Sequence, residues 1–242
     1  MAHLLLVTGG SSGLGRAVLA TAPSDAHGVT ISRRSADDVA RGHIAADLAD
    51  PASWARVGDV IDALATERQW ERITFVQAAG TIAPIGFAGE VDPARYAANV
   101  LLNAAAPQVL GHRFLAAVSH LHARRELVLV SSGAANKDYP GWSSYGAAKA
   151  GVDRWASTVG AEQELRGGTR VLSIAPGVVD TDMQAMVRAT DPRDFPGLDR
   201  FEALHREGQL ADPEDTARRL WEAVDDRAVV SGSVLDLRDR PR

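Results

Sequence analysis

The chain has 242 residues, 45% hydrophobic and 24% charged, with a formal net charge of −5. That length suits one domain with a substantial core, and the acidic excess gives no electrostatic reason to expect nucleic acid or an anionic membrane as partner. Cysteine is absent, which excludes disulfides, thiolate catalysis and Cys-built metal sites; the seven histidines are scattered without ligand-like spacing, so no metal is expected.

The N-terminal run Leu4-Leu5-Leu6-Val7 is of strand length and lacks a basic leader or cleavage site, so it reads as a strand and not a signal peptide. No apolar run approaches a membrane span, and the expected location is the cytoplasm. Short apolar runs predict strands at 4–8, 29–32, 44–47, 73–77, 127–131, 171–175 and 229–235. Helices are expected between them near 15–21, 51–66, 93–121, 143–165 and 213–224. Asp50-Pro51 and Asp212-Pro213 are suitable N-cap and N1 pairs for two of these helices. Alternating strand and helix predicts an α/β fold: a single-domain, Rossmann-type, doubly wound parallel sheet of about seven strands flanked by helices. The domain is expected to span residues 1–242, with one long irregular segment, 179–210, as a candidate substrate lid.

The first strand runs into Thr8-Gly9-Gly10-Ser11-Ser12-Gly13-Leu14-Gly15, followed by a helical pattern. Glycines there let the backbone turn tightly and approach a pyrophosphate, whose charge meets the helix N-terminus. An ordinary glycine-rich turn is the alternative. The second strand ends Ser32-Arg33-Arg34 with no carboxylate at its tip. Paired guanidiniums suit a ribose 2′-phosphate and so favour NADP(H) over NAD, unless both arginines are simply solvated. Further on, Tyr145 and Lys149 stand four apart in a predicted helix and share a face. An ammonium beside a phenol favours the phenolate, so the pair is a plausible acid–base device.

Together, the Thr-Gly-x-x-x-Gly-x-Gly loop, the Tyr-x-x-x-Lys pair and the order of strands resemble the short-chain dehydrogenase/reductase family over essentially the whole chain. The resemblance implies a catalytic serine thirteen residues before the tyrosine, a position held by Ser132, to bind and polarise the substrate carbonyl. It implies a fourth member on the fourth helix, assigned to Asn103 over Asn99, holding a water that links Lys149 to solvent. Lys149 would lower the Tyr145 pKa and hold the nicotinamide ribose. Gly9, Ser11, Ser12, Gly13, Leu14 and Gly15 would cradle the phosphates, and Asp47-Leu48 would bracket adenine, although Asp47 is also a candidate helix cap. Ala79 and Gly80 would give the cofactor room. Pro176, Gly177, Val179 and Thr181 would flank the nicotinamide, its amide meeting the Val179 backbone and the Thr181 hydroxyl. The chain departs from the family at Gln77-Ala78, where an Asn-Asn pair is usual, which puts the tie between neighbouring strands in doubt.

Gly141-Trp142 and Asp180-Thr181-Asp182-Met183-Gln184 are similar to sepiapterin reductases and bacterial benzil reductases, and the ending Ser231-Gly232-Ser233-Val234-Leu235-Asp236 to that of sepiapterin reductases. That similarity makes Asp236 a candidate substrate anchor, or a strand cap, and Trp142 a candidate wall for an aromatic substrate, or core. Met183 and Met186 could line a flexible apolar lid or simply pack. The expected activity is NADPH-dependent reduction of a ketone or diketone. The alternatives are an NAD-linked alcohol dehydrogenase of the same family and a dinucleotide-binding sensor without turnover. A homodimer or homotetramer is implied by the resemblance alone.

Overall fold

The structure, a computed structural model, describes residues 2–240. Seven parallel strands form one sheet: β1 (His3–Thr8), β2 (Ala26–Ser32), β3 (Gly42–Ala45), β4 (Arg72–Gln77), β5 (Arg124–Val130), β6 (Arg170–Ala175) and β7 (Val234–Asp236). Their order is β3-β2-β1-β4-β5-β6-β7, so the winding direction reverses between β1 and β4. In such sheets the ligand crevice lies outside the strand carboxyl ends at that reversal.

The helices are α1 (Gly13–Ala20), α2 (Ala52–Thr66), α3 (Pro93–Val100), α4 (Ala106–Val118), α5 (Ser143–Glu164), α6 (Asp182–Arg188), α7 (Leu198–Arg206) and α8 (Pro213–Asp225). Side chains alternate across each strand, so each central strand feeds two cores. Leu4 and Leu6 of β1 pack with Val57 and Ile61 of α2, Leu110 and Phe114 of α4 and Val152 of α5. Leu5 and Val7 face the other way, into Val18 of α1 and Leu220 and Trp221 of α8. Burial on both faces is why these strands read as unbroken apolar runs. Asp212 caps α8 by accepting from the backbone N–H groups of Glu214 and Asp215, and Asp50 Oδ1 accepts from Ala52 N at the start of α2.

Three expectations change. The helix expected over 93–121 is interrupted by a π-helical turn, Leu101–Ala105. Pro107 has no N–H to give the Asn103 carbonyl four residues back, and its ring crowds that carbonyl, so the helix widens there. The segment 179–210 is not irregular; it contains α6 and α7, separated by Pro192 and Pro196-Gly197. Both helices are too short to be stable alone and are held by burial of Val187, Phe195, Leu198 and Phe201 in a third apolar cluster. The last strand is shorter than expected, because Ser231-Gly232-Ser233 forms a turn in which Ser233 Oγ donates to Val230 O at 2.7 Å. No described helix is long and apolar enough to cross a membrane.

At the opposite, amino-terminal end of the sheet, His3 Nε2 lies 3.0 Å from Thr74 Oγ1, which donates to Glu126 Oε2 at 2.9 Å. Arg72 and Arg124 pair with the same carboxylate. Burial, reinforced by Arg72 and Arg124 against the opposing charges of Asp25 and Asp225, pushes His3 from 6.5 down to about 4. Between those values the unfolded chain takes up a proton that the folded chain refuses, so stability falls as pH drops through that window. The expected loss is ~3 kcal/mol. Denaturant unfolding across this range should show that slope, and His3→Gln should flatten it; an unchanged slope in the variant would assign it to the carboxylates instead.

Candidate active site

The carboxyl ends of the strands open into a cavity of about 710 Å³. Gly9, at the end of β1, has φ +72°, and a Cβ there would stand 2.8 Å from Ala79 Cα across the sheet reversal. Only glycine lets the two strand ends approach so closely. Ser12, the N-cap of α1, makes no side-chain cap bond, so the first-turn N–H groups are not capped by that hydroxyl. Such a helix end attracts phosphate. Thr181, at the start of α6, likewise makes no side-chain cap bond, and the would-be Cβ of Gly13 lies 3.4 Å from its Cγ2. These features fit a dinucleotide: an open glycine turn for the pyrophosphate, and side chains beyond it for the two nucleosides.

Every residue expected at the cofactor lines this one cavity. Arg33 and Arg34 are exposed at one end, beside Asp47 and Leu48. The Asp47 carboxylate also accepts from Ala49 N at 3.0 Å, so it organises its own turn. Pro176, Gly177, Val179 and Thr181 lie toward the other end, where the Thr181 hydroxyl is 3.4 Å from Val179 O. The doubtful tie at Ala78 has a substitute: Thr8 Oγ1 accepts from Ala79 N at 3.0 Å and links β1 to β4 directly.

Tyr145 and Lys149 stand one turn apart on the buried face of α5, 7% and 5% exposed, and both line the cavity with Ser132. Among the described residues, Lys149 does not figure among the causes that shift the Tyr145 pKa. Burial pushes Tyr145 above its ordinary value, and only the neighbouring Ser132 hydroxyl works against that. Lys149 Nζ donates one hydrogen bond to Val130 O at 2.8 Å and lies 5.8 Å from the tyrosine ring centre. Burial pushes Lys149 down to about 8, opposed by Asp153. The phenol therefore holds its proton at neutral pH and is suited to donate it.

Asn103 does not line the cavity. Its amide is turned to the Thr81 backbone, accepting from Thr81 N at 3.0 Å and donating to Thr81 O at 2.8 Å. It still lies near the lysine: a Cβ on Gly80 would be 2.9 Å from Asn103 Oδ1 and 3.9 Å from Lys149 Nζ. Asn99, passed over in the sequence, does line the cavity; it donates to Thr81 O and Ala83 O, and its Oδ1 has no partner among the described residues.

Asp236, a candidate substrate anchor or cap, is placed as a cap. Asp236 is absent from the cavity wall and caps the following turn by accepting from Arg238 N at 2.9 Å. Its carboxylate also takes the Arg238 guanidinium, Nε at 2.9 Å and Nη2 at 2.5 Å, which holds its pKa below the usual range. A carboxylate so paired has little left to anchor a substrate; Arg238 reaches the cavity in its place. Trp142 both packs and lines: its ring stacks on Phe195 at 4.5 Å and meets Tyr145 edge-on at 6.1 Å. Met183 and Met186 line the same end. Tyr139, Arg200, Phe201 and Gln184 join them and carry no role in the sequence reading. Phe201 and Arg200 sit in the stretch expected to be irregular, where no periodicity marks an inward face. Gln184 stands in plain view beside Met183, but nothing in the sequence says which way it turns.

A sheet reversal, an uncapped glycine turn and a buried Tyr-Lys pair with the half-buried Ser132 around one cavity define a dinucleotide-dependent oxidoreductase site. Residues 3–192 match the model of the short chain dehydrogenase family, and the chain belongs to that family. It is 30% identical to a benzil reductase ((S)-benzoin forming) of Bacillus subtilis over 98% of this chain and 99% of that one. A sepiapterin reductase of Meriones unguiculatus is 30% identical over 81% of this chain and 74% of its own. Among solved structures, a putative NAD(P)-dependent gluconate 5-dehydrogenase of Beutenbergia cavernae with bound NADP superposes with a TM-score of 0.80 at 28% identity. That match covers 97% of this chain and 94% of the other. A short-chain dehydrogenase/reductase of Saccharomyces cerevisiae has the same fold, with a TM-score of 0.83 at 23% identity over 98% and 96% of the two chains.

Proposed function

We propose that this chain is an NADPH-dependent carbonyl reductase acting on a ketone or diketone with an aromatic body. The observation that carries the reading is Tyr145, a buried phenol kept protonated beside Ser132 and walled by aromatic rings. When bound, the nicotinamide supplies a hydride to the carbonyl carbon. Ser132 holds and polarises the carbonyl oxygen, and Tyr145 donates its hydroxyl proton to that oxygen as negative charge develops there. With its proton in place at neutral pH, the Tyr145 hydroxyl is available to donate to the carbonyl oxygen. Lys149 sits where it can hold a ribose hydroxyl and return a proton to Tyr145, while Asn103 fixes the Thr81 backbone behind it. Arg33 and Arg34 take the 2′-phosphate, because an exposed pair of guanidiniums binds a dianion with little desolvation. The segment 179–210 acts as the lid over the substrate end. The aromatic body is argued from Tyr139, Trp142 and Phe201, whose rings stand 4.9–6.0 Å apart at the cavity wall. The full-length similarity to the Bacillus subtilis benzil reductase supports the same substrate class.

The test is consumption of NADPH and NADH, followed by loss of near-ultraviolet absorbance, with benzil and with sepiapterin. NADPH turnover with either ketone is expected, and the preferred one names the subgroup. Binding of NADPH without consumption across a broad carbonyl panel would replace the reductase by a sensor.

A further inference from the structure

Gln184 is 4% exposed on α6, yet neither its amide oxygen nor its amide nitrogen has a hydrogen-bond partner among the described residues. The same holds for the indole nitrogen of Trp142, which is 7% exposed. Both residues line the cavity. They belong to its substrate end: Val187, one turn beyond Gln184 on the same helix face, packs in one cluster with Trp142 and Tyr145. A buried amide left unpaired costs free energy on both of its atoms, and groups of this kind are rare in native structures. Arg188 Nη1, a turn further on, is also unpartnered, but it does not line the cavity.

We propose that Gln184, together with the Trp142 indole N–H on the same cavity wall, recognises a second oxygen of the substrate near the reacting carbonyl. The residues assigned to the chemistry, Ser132 and Tyr145, serve the carbonyl that is reduced. Gln184 and Trp142 add two idle donors and one idle acceptor. The donors suit a neighbouring carbonyl oxygen, and the acceptor suits a neighbouring hydroxyl. The substrate class narrows to dicarbonyls and hydroxyketones over simple ketones. A site with buried polar groups rejects an analogue that leaves them unpaired. This inference rests on the carbonyl-reductase reading.

The test compares benzil with deoxybenzoin, which keeps both phenyl rings and one carbonyl but lacks the second oxygen. Gln184→Met keeps the volume and removes both polar atoms. Its kcat/KM for benzil should fall ~10-fold or more, while that for deoxybenzoin stays within ~3-fold. KM for NADPH should not move, and the thermal midpoint of the protein alone should hold or rise, because an unpaired buried amide has been replaced by an apolar group. Equal losses on both ketones would overturn the proposal. So would a raised KM for NADPH, which would give the amide to the cofactor, or a fall in thermal midpoint, which would make it structural. Should that variant fail to fold, Gln184→Glu keeps the shape and exchanges the donor for an acceptor. It should lose benzil turnover selectively, and retention of that turnover would overturn the proposal. Wild-type protein that reduced neither ketone with either cofactor would instead defeat the reductase reading, and the inference with it.

Discussion

Tyr145→Phe is expected to lower turnover of a diketone by ~10²–10⁴-fold while leaving NADPH affinity within ~3-fold. The ring remains, so its edge-on contact with Trp142 and its place in the apolar cluster persist, and the variant should fold with near-normal stability. What is lost is the phenolic proton beside Ser132 at the cavity wall. The alkoxide formed by hydride addition would then have to take its proton from solvent. Steady-state kcat, with dinucleotide affinity from fluorescence titration, separates the two effects. Near-normal turnover in the variant would mean that the proton comes from elsewhere and that the mechanism assigned to α5 is wrong.

The double replacement Arg33→Ala with Arg34→Ala should reduce kcat/KM for NADPH by ~10²-fold or more and change that for NADH by less than ~3-fold. Both arginines are exposed at the cavity rim, and no side-chain hydrogen bond or ion pair is formed by either among the described residues, so their removal carries little folding cost. A bidentate contact to a dianion is worth more than a neutral hydrogen bond, and lysine in place of either arginine should restore only part of it. Measured at fixed ionic strength, the ratio of the two cofactor efficiencies is the readout, since screening alters both through the remaining phosphates. An equal fall with both cofactors would place these residues on the shared pyrophosphate. No change with either would leave them as solvated surface.

Local features explain why much of this site is legible in the chain. The glycine loop is contiguous, and its position between an apolar run and a helix is enough to place it at a strand end. Tyr145 and Lys149 share a helix, so their spacing alone puts them on one face. Ser132 follows from its distance to the tyrosine, by resemblance. Asp236 and Asn103 are different. Whether a carboxylate is free depends on its neighbours, and Arg238, two residues on, takes it; whether an amide faces a cavity depends on how the helix is wound, and Pro107 widens that winding beside Asn103.

By itself, the sequence determined the alternation of strands and helices, the two-sided burial of the sheet, the phosphate turn and the Tyr-Lys face, because each depends on short-range spacing and on the apolar period. The tertiary structure alone decided which charges are spent and which remain. Lys149 donates a hydrogen bond to a carbonyl on β5, and burial raises the tyrosine pKa. It also decided that residues 179–210 form two helices, since their stability comes from rings contributed by distant parts of the chain. Desolvation and long-range packing depend on what surrounds a side chain in three dimensions, and linear spacing does not carry that information.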